Sequence, residues 1–354
     1  MNRPRFYEID LFRFIAALSV VMFHYTFRGG FDNAYMNIQF PYIGEVTKYG
    51  YLGVELFFII SGFVILMSAS NSNTSKFLVG RVCRLYPAFI VSVSLTALFI
   101  YFLADNRFSI NLYQYLTNLT MMSGFFGIRH VDGVYWSLLV EIKFYFLVTM
   151  ILMLNLIRFA KPILLGWLVL AWLSKWITLP WYINFVFFPE WAGYFIAGCT
   201  FFLIRQEGSS LFKWIVIFCS YLLCLKQAVI NIKDFQDSYN IILSSPIVML
   251  LISVFFLVFV FVSLDKTQII NKKQMISLGV LTYPLYLVHQ NIGYIIFNVF
   301  EESVNQYILL FCILTLAIAI SYAINKFIEK PLAPKIKSAL TFSFLNLKNA
   351  EQKL

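Results

Sequence analysis

The chain has 354 residues, of which 60% are hydrophobic, 19% aromatic and only 12% charged, against roughly 25% charged in ordinary soluble domains. This excludes a sizeable water-soluble domain: apolar runs of about 20 residues, the length needed to cross ~30 Å of hydrocarbon, recur from end to end. The net charge of +10 does not require nucleic acid, because the basic residues gather beside span ends, where anionic membrane lipid is the natural partner.

The pattern predicts an all-α polytopic membrane protein, a single bundle of about ten spans around an intramembrane polar cavity. The spans fall near 9–28, 51–69, 85–104, 134–157, 162–178, 182–204, 211–229, 243–264, 276–300 and 306–328. With the N-terminus inside, eighteen of the 27 Lys and Arg residues lie in inner segments and seven in outer ones. Both termini are therefore predicted cytoplasmic. The transmembrane domain covers 1–331, and 332–354 is a basic cytoplasmic tail.

The first span, "DLFRFIAALSVVMFHY" at 10–25, carries Asp10, Arg13 and His24. Glu8, Asp10 and the lack of a small-residue cleavage site argue against a signal peptide. Arg13 and His24 are eleven residues apart, which at 100° per residue is three turns plus about 20°, so both side chains share one helical face roughly 16 Å apart. Asp10 can pair with Arg13 at i, i+3. The competing structural readings are an Arg13 that snorkels to the inner surface and a His24 satisfied in the core.

The second span brings Glu55 roughly 6 Å below the outer surface, and "SASNSNTS" at 68–75 reads as a flexible inner loop. At the inner edge of the third span, "RVCRLYP" puts Arg81 and Arg84 on one face; paired guanidinium groups suit bidentate phosphate recognition, and the plainer reading is positive-inside anchoring. The outer segment 105–133 contains "LYQYLTNLTMMSGFFG", apolar enough to lie in the interface or re-enter. His130, between Arg129 and Asp132, reads as solvated.

The fourth span carries Glu141 roughly 10 Å below the outer surface, with Lys143 two residues on. Lys175 interrupts the fifth, and Glu190 in "FFPEWAGYF" of the sixth is either site or support. In the ninth, His289 lies roughly 18 Å from the inner side, while His24 lies roughly 20 Å deep from the same side. His24, Glu55, Glu141 and His289 are thus expected to meet at one level. Charges in hydrocarbon are costly, so such residues are functional candidates.

Their chemistry suits acyl transfer. A neutral imidazole can take the proton of an attacking hydroxyl, and a carboxylate can orient that imidazole and stabilise its cation. With an arginine pair one pantetheine arm away, a nucleotide-like acyl carrier explains the basic motif. Three widely separated histidines and no Cys/His cluster predict no metal. No glycine loop for phosphates is present, and no pair among the five cysteines lies in outer loops to form a disulfide.

Six blocks in order, from residue 7 to about 331, carry a resemblance: "IDLFRFIAALSVVMFHY", "GYLGVELFFIISGFVI", "FLVGRVCRLYPAF", "VYWSLLVEIKFYF", "YPLYLVHQ" and "SYAINKFIEKP". Together they resemble membrane acyltransferase family 3, which modifies surface polysaccharides and related glycans. The resemblance implies a ten-span fold, cytoplasmic acyl-CoA as donor and a glycan hydroxyl as acceptor. By position His24 resembles the family's catalytic histidine, Arg13 its paired basic residue, Arg81 and Arg84 its acyl-CoA-binding pair, and Glu141 the acid of the "WSL" block. Lys143 and Pro284 depart from the pattern, and no appended esterase-like domain is expected.

The resulting expectation is an O-acyltransferase of the bacterial inner membrane, acetyl foremost, acting on capsule, O-antigen or a lipid-linked oligosaccharide. His24 serves as general base, Glu141 and Glu55 as orienting or polarising carboxylates, Arg81 and Arg84 as clamps for the CoA phosphates, and Arg13 as guide for the carrier. Asp10, Trp136, Ser137, Tyr286 and His289 are secondary candidates. The rival class is a transporter or flippase for lipid-linked glycan, which predicts transport without acyl-CoA and favours an internal repeat that the chain lacks. A glycan polymerase would favour a large outer domain.

Overall fold

The computed structural model describes residues 6–239, 241–267 and 272–351, and among these the regular structure is entirely helical. In chain order the α-helices are α1 (Tyr7–Phe23), α2 (Pro41–Thr47), α3 (Gly53–Ser70), α4 (Thr74–Leu103), α5 (Leu112–Leu119), α6 (Trp136–Met153), α7 (Ala160–Leu173) and α8 (Trp181–Phe187). They continue with α9 (Pro189–Glu207), α10 (Leu211–Tyr239), α11 (Ser245–Ser263), α12 (Lys272–Val288), α13 (Gln290–Phe300), α14 (Gln306–Ile324) and α15 (Lys330–Glu351). Two π-turns, His24–Arg28 and Asn325–Glu329, extend α1 and link α14 to α15.

Among the described residues eight helical stretches are long and apolar enough to cross a membrane, and they coincide with the expected first to fourth, sixth to eighth and tenth spans. The fifth and ninth are built differently. α7 has 14 residues, about 21 Å of helix, because the chain turns after Leu173 and the Lys175 ammonium donates to the Gln227 side-chain oxygen on α10. The ninth divides at His289 into α12, of 17 residues, and α13, of 11.

Two other expectations change. "SASNSNTS" is mostly helical: α3 runs to Ser70, and Asn73 accepts from the Lys76 amide at 2.9 Å to cap α4. This cap satisfies a backbone donor that the helix itself leaves open. In segment 105–133, Asn111 caps α5, and His130 is part-buried with Nδ1 3.1 Å from the Ser123 hydroxyl. Burial pushes the His130 imidazole below its ordinary pKa, so it is a packed residue rather than a solvated one.

The helix contacts group the chain into two compact units. The first comprises residues 1–23, 46–71 and 140–279. Its axis is the pair α3 and α9, which meet through Gly62 and Gly198. A Cβ on Gly62 would stand 2.3 Å from the Phe195 carbonyl oxygen, and one on Gly198 2.0 Å from that of Ile59. Small residues permit this approach where packing, not water, drives helices together. Phe58 stacks on Phe195 at 4.9 Å, and Phe63 meets Phe202 edge-on at 5.5 Å.

The second unit comprises residues 24–45, 72–139 and 280–354. Here α13 and α15 pack against α4, and α14 packs against α13. After Pro331 the chain continues as helix α15, described as far as Glu351, and α15 packs along α4. In the π-turn before it, the Asn325 amide donates to the buried Glu329 carboxylate at 2.7 Å.

Candidate acyl-transfer site

In the second unit His24 opens the π-turn that prolongs α1, whose wide ring closes with the Gly29 amide donating to the His24 carbonyl at 2.8 Å. Such single π-turns are frequent at functional sites. His289, fully buried, sits at the break between α12 and α13. Its Nδ1 lies 2.9 Å from the Tyr286 carbonyl oxygen and 3.2 Å from that of Leu285.

We assign the tautomers from these contacts. Carbonyl oxygens only accept, so the Nδ1 of His289 carries its proton and the Nε2 is left with a lone pair. That Nε2 is 3.0 Å from Nδ1 of His24, so His24 donates from Nδ1 and its own Nε2 is the basic nitrogen. The rings lie 4.9 Å apart at 58°. A backbone carbonyl thus orients a catalytic-type imidazole through a second imidazole, a task that a carboxylate performs in the serine-hydrolase triad.

The surroundings hold His289 from several sides. The buried Tyr25 hydroxyl donates to the His289 carbonyl at 2.7 Å, and a Cβ on Gly293 would stand 2.3 Å from the Tyr25 ring. Glycine there lets α13 approach. The Tyr135 hydroxyl donates to the Leu287 carbonyl at 3.2 Å, the Ser137 and Tyr286 hydroxyls are 2.7 Å apart, and Tyr286 also donates to the Val134 carbonyl at 3.2 Å.

Asp132, fully buried, accepts from the amides of Val134 at 3.2 Å and Asn291 at 3.0 Å. Burial pushes its carboxyl up to about 7 against the pull of those two amides. The Asn291 amide group closes the clasp by donating to the Val131 carbonyl at 2.8 Å. On the other side of His24, the Tyr294 ring is 6.4 Å away and stacks on Tyr35 at 5.2 Å. Arg28 lies over Tyr35 at 4.6 Å and donates to its hydroxyl at 3.2 Å.

Of the residues expected from sequence, this unit unites His24, His289, Tyr286 and Ser137, with Trp136 beside Ser137 and 39% exposed. Arg81 and Arg84 are part-buried on α4, and the Arg81 guanidinium lies over Phe77 at 5.7 Å. Glu55, Glu141, Arg13 and Asp10 belong to the first unit. There the Ser61 hydroxyl donates to Glu141 at 2.8 Å, Glu55 is 4% exposed at the start of α3, and Arg13 is part-buried on α1. Asp10 is 8% exposed, and Gly279 comes so near that a Cβ would be 2.5 Å from its carboxylate.

Tyr25, Asp132, Asn291 and Tyr294 escaped the sequence reading. Only Asp132, an acid followed by Gly133 just before "VYWSLLVE", carried a signal, as an N-terminal cap. Among the described residues no three His, Cys, Asp or Glu side chains group as metal ligands.

The chain is thus a multi-pass helical membrane protein in which the part-buried His24 meets the buried His289 ring to ring. Residues 6–326 match the acyltransferase domain of acyltransferase family 3, and the chain belongs to that family. The domain that this family model describes is an acyltransferase domain. The chain is similar to nodulation protein 10 of Rhizobium leguminosarum bv. viciae, 31% identical over 121 residues, which is 28% of this chain and 32% of that protein. The chain therefore spans about a third of that relative's length. It is also similar to "Putative acetyltransferase ORF330" of Acidianus two-tailed virus, 23% identical over 256 residues, 69% of this chain and 74% of that one. No solved structure matches.

Proposed function

We propose that the protein moves an acyl group, acetyl foremost, from cytoplasmic acyl-CoA to a hydroxyl of a bacterial envelope glycan at the inner membrane. The observation that carries this reading is the 3.0 Å contact between His24 Nδ1 and His289 Nε2: with His289 Nδ1 against backbone carbonyls, we assign the shared proton to His24 Nδ1 and the role of base to His24 Nε2. The acceptor oxygen attacks the thioester carbonyl carbon as its proton passes to His24 Nε2. The C–S bond then breaks, and the imidazolium returns the proton to the departing CoA thiolate. His289 accepts from the imidazolium throughout, so the cation keeps a partner in a dry site where an unpaired charge would be costly.

Arg81 and Arg84 are assigned to the CoA phosphates, Arg13 to guiding the carrier inward, and Glu141 and Glu55 to polarising the reacting groups. Both termini are placed in the cytoplasm, on the Lys/Arg asymmetry. The name of the viral relative supports acetyl transfer. The test is the ester-linked acetate in the envelope glycan of cells with and without the gene, by NMR. Loss of one acetylated position supports the reading, and identical glycans overturn it.

A further inference from the structure

Within the first unit, α6 and α7 enclose a cavity of about 450 Å³ that none of the residues assigned to acyl transfer lines. Its walls are hydrocarbon: Leu147 and Ile151 from α6, Ile163, Gly166 and Leu170 from α7, and Phe187 at the end of α8. The back is rigid, since Trp167 stacks on Phe144 at 6.0 Å and its indole donates to the Phe187 carbonyl at 2.9 Å. At Gly166 the cavity is open, and a Cβ there would meet no heavy atom within 4 Å.

Length and charge identify what fits. The α7 residues that line the cavity run from Ala160 to Leu170, about 15 Å of helix and half of the ~30 Å hydrocarbon core. One leaflet's acyl chain has that reach. At the Ala160 end stand Arg158, its guanidinium over Phe159 at 4.8 Å, and Lys161. Glu207 is shared between Lys161 at 2.8 Å and Lys213 at 2.9 Å, so two ammonium groups meet one carboxylate and the rim stays positive.

We propose that this groove seats one hydrocarbon chain of an anionic phospholipid from the leaflet at the Arg158 end, with its phosphate against Arg158 and Lys161. The site is separate from the acyl-transfer reading and survives or fails without it. The lipid fills space between α6 and the short α7 that protein side chains leave empty, and so braces a helix too short to cross the membrane.

The test uses the full chain, reconstituted in nanodiscs of equal phosphatidylglycerol and phosphatidylethanolamine, re-extracted into detergent and read by native mass spectrometry. Wild type should retain one phospholipid, with phosphatidylglycerol preferred by about fivefold for each basic residue that touches the phosphate. Gly166→Trp, which fills the groove, should lose it while remaining folded, with the wild-type helical content by circular dichroism. The double variant Arg158→Ser with Lys161→Ser leaves the groove intact, and should keep a phospholipid but lose the preference. The proposal is overturned if wild type strips clean, if folded Gly166→Trp holds as much lipid as wild type, if the double variant keeps the full preference, or if the retained molecule is a polyprenyl phosphate or a free fatty acid.

Discussion

Replacing His289 with leucine removes the acceptor for the Nδ1 proton of His24 while leaving a side chain of similar bulk in a fully buried position. The bond at stake is charge-assisted once His24 is protonated, which places its worth at about 1.5–3 kcal/mol. At 1.36 kcal/mol per factor of ten, His289→Leu should slow acyl transfer by roughly 10- to 150-fold. The loss should fall in kcat, with KM for acyl-CoA unchanged, because His289 acts through His24 and not on the donor. Glutamine offers a side-chain oxygen near the place of the imidazole Nε2, so His289→Gln should recover most of the rate. The assay is transfer of labelled acetyl from acetyl-CoA to envelope glycan in membrane vesicles holding equal amounts of each variant. A folded His289→Leu protein with wild-type kcat would refute the relay. So would a glutamine variant as slow as the leucine one, since it would mean that His289 does not act as an acceptor.

Tyr25→Phe deletes the donor to the His289 carbonyl, which still accepts from the Gly293 amide at 3.0 Å. The expected cost is therefore about 1 kcal/mol, read as a lower melting temperature. Asp132 titrates higher folded than unfolded, at about 7 against 3.8, so its contribution is fully present below the unfolded value and is lost as pH rises through the folded one. Wild type should lose stability between pH 4 and 7, by on the order of 4 kcal/mol from this group, and Asp132→Asn should flatten that slope in thermal unfolding. Acetyl-CoA at a hundredfold excess over Kd should stabilise wild type by about 2.7 kcal/mol, and the shift should vanish in Arg81→Ser with Arg84→Ser.

Much of the site was legible because intramembrane charge is rare and costly. His24 and His289 stood out in apolar runs, and each depth estimate placed them near one level. Their partnership was not legible, since it joins residues 265 apart and depends on a helix break that no local pattern marks. The expectation that a carboxylate orients His24 followed from chemistry alone. The described contacts add the Tyr286 carbonyl, which meets His289 Nδ1, and show Glu141 accepting from Ser61.

Eight spans followed from hydrophobic length. The fifth and ninth were legible only as apolar runs, because the Lys175 bond to Gln227 and the carbonyl bonds of His289 are tertiary facts. The "SASNSNTS" segment misled for the opposite reason. Its composition reads as linker, yet one asparagine at the right position starts a helix.

The central claim is that His24 removes the acceptor's proton in an acyl transfer from acyl-CoA. It is tested most directly by His24→Ala in membrane vesicles supplied with labelled acetyl-CoA, with ester-linked label on the envelope glycan as the readout. The account predicts label on the glycan from wild type and a loss of at least a hundredfold from the variant, as expected for removal of a general base, with the acetyl-CoA-induced rise in melting temperature retained. Transfer at the wild-type rate by a variant present in equal amount would contradict it.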